Sequence, residues 1–264
     1  MIIDIHTHAF PDELAPRALA ALSECSHVPP HTDGTCAGLS ASMRCAGVDR
    51  SVIMPIATKP AQVGSINNWA AAINRQHRDL ISFGTLHPQQ DDLSAEIDRL
   101  AAEGIPGVKF HPDYQDFFVD APEMIPTYRA LAAAGLIVLF HAGVDIGLPP
   151  PVHCTPERLA RVLDAVPALT VIAAHMGGYD CWDDVERCLV GRDLYFDTSY
   201  SLADLGSERM TALMRAHGAG RILFGTDSPW TDQSDEVAAI RALPLTDDEI
   251  SAVLGGNAAR LLSV

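Results

Sequence analysis

Five histidines, one lysine and one aspartate stand where short apolar runs end: His6 and His8, Lys109 and His111, His141, His175, and Asp227. Neutral imidazole and carboxylate are the donors that suit zinc and similar divalent ions. Alternation along an extended chain puts His6 and His8 on one face, and Lys109 and His111 on one face. A lone strand-end histidine, or one H-x-H, is usually a packed or hydrogen-bonded residue. Recurrence of polar types at the same end of successive apolar runs is harder to dismiss, because so many buried polar groups without a partner are costly.

Strands must position these residues. The pattern predicts strands over Ile2–His8, Ser51–Ile56, Ile81–His87, Gly107–His111, Ile137–His141, Thr170–His175, Leu194–Ser199 and Ile222–Asp227, short and rich in Val, Ile, Leu and Phe, as strands covered by helices should be. Helical stripes lie between them: Val63, Ile66, Trp69 and Ile73; Leu93, Ile97 and Leu100 before Gly104; Leu159, Val162 and Val166 behind Thr155-Pro156; Met210, Leu213, Met214 and His217. Thr246 and Glu249 form a capping box opening the last helix, which Gly255-Gly256 is expected to interrupt. Eight alternating units are the number that closes a parallel barrel, so the expected fold is a single (β/α)8 barrel over residues 1–264, with an open doubly wound sheet as the alternative. Inward residues at the C-terminal strand ends of a barrel converge on one small volume. The least regular stretch, Phe10–Ala37, and the proline-rich Asp145–Thr155 are expected over the mouth.

A net charge of −16 argues against a nucleic-acid partner, which needs a clustered basic face. The start of the chain has neither the basic residues nor the unbroken apolar run of a signal peptide, and no stretch approaches the length of a membrane helix. Six cysteines without a C-x-x-C pair suggest reduced thiols and a cytoplasmic protein. The expected partner is a small-molecule substrate, with no nucleic acid and no membrane; a homo-oligomer is admissible.

Ile3-Asp4-Ile5-His6-Thr7-His8 resembles the first-strand signature of the amidohydrolase superfamily. Phe140-His141-Ala142, Ala174-His175-Met176-Gly177-Gly178 and Phe224-Gly225-Thr226-Asp227-Ser228-Pro229 follow in that family's order, and Gly256–Leu262 resembles the branch containing aminocarboxymuconate-semialdehyde decarboxylase. The resemblance implies that His6, His8, His141 and Asp227 bind a divalent metal, most readily zinc, as one or two ions. His175 then either binds a second ion or polarises the substrate. Lys109 occupies a position where some members carry a carbamylated bridging lysine, which the decarboxylase branch lacks. Its readings are a carbamate, a cation for a substrate carboxylate, or a structural lysine.

The preferred expectation is hydrolysis of an amide, lactone or ester by metal-activated water, with Asp227, His175 and Lys109 catalytic and with His111, Lys109, Ser199 and Trp230 on the substrate. The alternatives are a non-oxidative decarboxylase of a small unsaturated or aromatic acid, and a non-catalytic barrel with a structural metal. Asp4 is expected on the face of His6, lower in the barrel, as a structural hydrogen-bonding group.

Overall fold

The computed structural model describes residues Met1–Val264. Nine short strands follow in chain order: β1 (Ile3–Thr7), β2 (Arg50–Ile53), β3 (Leu80–Ser82), β4 (Gly84–Thr85), β5 (Gly107–Phe110), β6 (Ile137–Phe140), β7 (Val171–Ala173), β8 (Tyr195–Asp197) and β9 (Ile222–Leu223). All neighbours pair in parallel, in the orders β1-β2-β3 and β4-β5-β6-β7-β8-β9. β3 and β4 are two halves of one barrel strand, and Phe83 between them still donates its N–H to Ile53. The last edge meets the first through Ile5 N to Phe224 O, Asp227 N to His6 O and His8 N to Ser228 O, at 2.8, 2.8 and 2.6 Å. Helices separate the successive barrel strands, and the fold is a (β/α)8 barrel.

Side-chain alternation divides the core in two. Ile3, Ile5, Val52, Met54, Phe83, Ile137, Leu139, Ile172, Ala174 and Leu223 fill the interior. Val108, Phe110, Val138, Phe140, Val171, Ala173, Phe196 and Phe224 face the helices. Fully burying a Val, Leu, Ile or Phe side chain stabilises the fold by about 1.5–3 kcal/mol. The two layers therefore hold the strand ends rigidly.

The strand-like runs are longer in sequence than the paired strands. Their last residues, His8, His111, His141, His175 and Asp227, lie beyond the ladders, at the mouth. The stretch 10–37 is more regular than its prolines suggest, since the Ala- and Leu-rich Ala15–Ser26 forms a helix. Its residues Phe10, Leu14, Leu22 and Val28 do lie over the mouth, as do Asp145 and Ile146. The Thr155 cap and the Thr246–Glu249 capping box are present. Gly255-Gly256 does not interrupt the last helix; the chain passes through a π-helical turn, Ala252–Gly256. A Cβ on Gly255 would lie 2.2 Å from the Met1 carbonyl, so the glycine admits the chain start against this turn.

Asp4 departs from expectation. The β1–β2 register shifts between Asp4 and Thr7, a bulge that gives β1 one extra residue. Ile3 and Ile5 face the interior, so Asp4 points outward to Thr226 and to Gln233 of the helix Gln233–Arg241. The bulge then returns His6 to the inside. Asp4 is the structural hydrogen-bonding group expected, but on the opposite face.

Candidate metal centre

The mouth encloses a cavity of about 410 Å³. His6, His8, Lys109, His111, His141, His175, Asp227 and Trp230 all line it. Ser199, expected to reach substrate, does not. It is fully buried behind the histidines, where its hydroxyl donates to Asp197 Oδ1 and lies 3.0 Å from His6 Nδ1 and 3.1 Å from His175 Nδ1. Alternation placed Ser199 on the correct face, but at a depth from which these rings screen it.

Two of the inward side chains depend on local irregularity. His6 relies on the β1 bulge. Ile172 and Ala174 face inward, so strict alternation would turn His175 toward the helices; instead His175 and Met176 adopt left-handed backbone, with φ of 58° and 54°. Gly177 follows at φ 89°, where a Cβ would lie 2.8 Å from Phe196. Left-handed backbone is costly for residues other than glycine and recurs at functional sites. Asp227 shares it, at φ 68°.

Hydrogen-bond partners assign the imidazole protons. His6 Nδ1 lies 2.9 Å from Asp197 Oδ2, so its proton sits there. Burial, and then the Lys109 charge, hold the His6 imidazolium down to about 4, leaving the ring neutral with a lone pair on Nε2. That nitrogen stands 3.3 Å from Asp227 Oδ1, which His8 Nε2 approaches to 3.0 Å. Ligands about 2.0–2.2 Å from a shared ion stand roughly 3.0–3.4 Å apart, and two lone pairs facing each other at this distance call for a cation between them. His6, His8 and Asp227 thus fit a divalent metal. Lys109 Nζ is 3.2 Å from the same His6 nitrogen, and burial lowers its ammonium from 10.5 to about 8. Despite burial, the histidines around Asp227, His8 first, hold its carboxyl well below the ordinary carboxylate range.

A second chain of tautomers runs from Ser199. Its carbonyl accepts from His175 Nδ1 at 3.0 Å, so His175 Nε2 accepts from His141 Nδ1 at 3.1 Å. His141 Nε2 is then a lone pair, buried and without a partner. Burial, above all, disfavours protonation of His141. An oriented, buried, unpartnered imidazole nitrogen also suits a metal. The expected ligands do not form one tight cluster, however. His6, His8 and Asp227 group together, while His141 groups with His111 and Asp145, the donor atoms of each trio within 4.8 Å of one another. The His111 and His141 rings stack at 4.0 Å.

Asp145 and Asp197 carry parts of the site that sequence reasoning missed. Asp145 opens a loop already expected over the mouth, and only its approach to His111, 3.0 Å from Oδ2 to Nε2, reveals it. Asp197 shares an inward face with Ser199 and accepts from His6 Nδ1, Ser199 and the His175 N–H. Despite burial, neighbouring His6 lowers its carboxyl to about 2.

A parallel barrel whose mouth joins imidazoles, a carboxylate and a buried lysine defines the class of metal-dependent barrel enzymes. Residues 3–264 match the family model described as Amidohydrolase, and the chain belongs to that family. No curated protein matches it by sequence. Among solved structures, 5-carboxyvanillate decarboxylase from Sphingomonas paucimobilis is 17% identical with TM-score 0.75, over 100% of this chain and 99% of that one. An uncharacterised TIM-barrel protein from Bordetella bronchiseptica is 21% identical with TM-score 0.78, over 99% and 98%. The 5-carboxyvanillate decarboxylase of Novosphingobium aromaticivorans, complexed with manganese and 4-hydroxy-3-methoxy-5-nitrobenzoic acid, is 16% identical with TM-score 0.75, over 100% and 96%. No helix is long and apolar enough to cross a membrane.

Proposed function

We propose that residues 1–264 form one catalytic domain, a metal-dependent, non-oxidative decarboxylase of a small aromatic or unsaturated carboxylic acid. The observation that carries this reading is the buried Lys109 amine, 3.2 Å from His6 Nε2, in a cavity otherwise walled largely by apolar side chains such as Ile56, Ile66, Trp69 and Trp230. That is a place for one carboxylate on an apolar body. The decarboxylases of similar fold support it and favour it over the hydrolysis expected first from sequence. His6, His8 and Asp227, with His141, would hold the metal, which when bound supplies positive charge for substrate oxygen. Lys109 pairs with the substrate carboxylate, and the apolar walls strip it of water. The carbon–carboxylate bond breaks and carbon dioxide leaves. The electron pair stays on the carbon and takes a proton from Lys109, which solvent then restores. Asp197 and Ser199 orient His6 and His175.

Hydrolysis is the second reading, favoured by one observation. His141 Nδ1 and His175 Nε2 stand 3.1 Å apart, so these two histidines, with a carbamylated Lys109, would hold a second ion that activates water. Incubation of the manganese-loaded protein with a panel of hydroxybenzoates and unsaturated acids, together with their esters, amides and lactones, in doubly labelled water (D₂¹⁸O) separates the two. Carbon dioxide release, with one solvent hydrogen on the product carbon, supports decarboxylation. A product acid carrying solvent oxygen, with no carbon dioxide, would replace it with hydrolysis.

A further inference from the structure

We infer that Asp145, held against His111, reads a hydrogen-bond donor on the substrate, so that the preferred acids carry a hydroxyl or amino group and not a second carboxylate. This rests on the decarboxylase reading only for the end of the substrate that meets Lys109.

The cavity has one cationic amine, Lys109, and two acidic side chains, Asp227 and Asp145. Asp227 Oδ1 meets both His6 and His8, and Asp227 is assigned with them to the metal. Asp145 is held by one donor on each oxygen. Its Oδ1 accepts the Gly147 N–H at 2.8 Å and its Oδ2 stands 3.0 Å from His111 Nε2. A carboxylate has about four lone-pair sites, so acceptor capacity is left on both oxygens. The side chain is 14% exposed and lines the cavity, which places that capacity where a ligand can reach it.

His111 fixes the carboxylate. The Tyr114 N–H points to His111 Nδ1 at 3.4 Å, so Nε2 carries the proton donated to Asp145. The His111 ring is wedged between His141, stacked at 4.0 Å, and Tyr114, edge-on at 4.5 Å. Both oxygens of Asp145 are thereby fixed in direction. A fixed anion in an apolar chamber attracts a neutral donor and repels a second anion. Ile146, beside it, continues the apolar wall. A ring with carboxylate at Lys109 and hydroxyl or amino group toward Asp145 satisfies both charged ends.

Calorimetric titration of the manganese-loaded protein with 2-, 3- and 4-hydroxybenzoate, the matching toluic acids and the matching benzenedicarboxylates tests this without turnover. At least one hydroxybenzoate should bind about tenfold or more tightly than its toluic analogue, the scale of one hydrogen bond to a charged acceptor, with the matching dicarboxylate weakest. Asp145→Ala should reduce that preference to less than about twofold, and Asp145→Asn should relieve the discrimination against the dicarboxylate. Equal binding of hydroxy and methyl analogues to the wild type, or a preference surviving in Asp145→Ala, would overturn the inference. So would loss of a metal equivalent in Asp145→Ala, because His111, His141 and Asp145 would then be a cation site. Tight, donor-selective binding without carbon dioxide release would leave Asp145 as the reader and refute the decarboxylase reading alone.

Discussion

Replacement of Asp197 by asparagine should weaken metal binding without removing a single candidate ligand. Asp197 Oδ1 accepts from the His175 N–H at 3.0 Å, from the Ser199 N–H at 3.1 Å and from the Ser199 hydroxyl, while Oδ2 accepts from His6 Nδ1 at 2.9 Å. An asparagine oxygen stays with the three donors on the first side, which turns its NH₂ toward His6. His6 must then accept through Nδ1 and carry its proton on Nε2, the nitrogen that faces Asp227. The proton occupies the place of the ion, and binding must expel it. Despite burial, neighbouring His6 holds the Asp197 carboxyl below its ordinary value, a preference for the anion that a neutral amide forfeits. Loss of such an orienting partner typically costs about 10–100-fold in metal affinity. Apo-protein titrated with manganese against a chromophoric chelator measures this directly. Ser199→Ala is the control, since it leaves the His6–Asp197 hydrogen bond in place and should change affinity less than about threefold. Wild-type affinity in the asparagine variant, or an equal loss in Ser199→Ala, would refute the tautomer argument.

Lys109→Met, which keeps an apolar stem but no charge, should retain metal and lower turnover at least about a hundredfold on any acid that releases carbon dioxide; undiminished turnover at full metal content would remove Lys109 from the chemistry. Glu236 lies on the outer face near Asp4, and burial, then the Asp4 charge, raise its carboxyl from 4.5 to about 7. A folded value raised in this way contributes stability that is fully present below about pH 4.5 and is lost as pH rises through about 7, at most about 3 kcal/mol. Glu236→Gln should therefore gain on the wild type between pH 5 and pH 8.5 in denaturant titrations, and a pH-independent difference would contradict the buried acid.

The sequence by itself determined the barrel and the end of it that carries the chemistry. Two-residue alternation in runs such as Ile137–Phe140 and Val171–Ala173 decides which side chains fill the interior and which meet the helices, and polar residues placed just past those runs reach the mouth. Capping at Thr155 and Thr246 is local and was equally legible. Tertiary structure decided where alternation breaks. The β1 bulge sends Asp4 outward and His6 inward, and left-handed backbone turns His175 back into the cavity; neither is encoded in residue spacing, because the bulge belongs to the pairing of β1 with β2, and the N–H groups of His175 and Met176 are held by Asp197, distant in the chain. The depth of Ser199, the grouping of His141 with His111, and the capture of His111 by Asp145 likewise depend on which side chains meet across the barrel. Periodicity gives a side chain its direction, but only the packed strands and loops determine its depth and its neighbours.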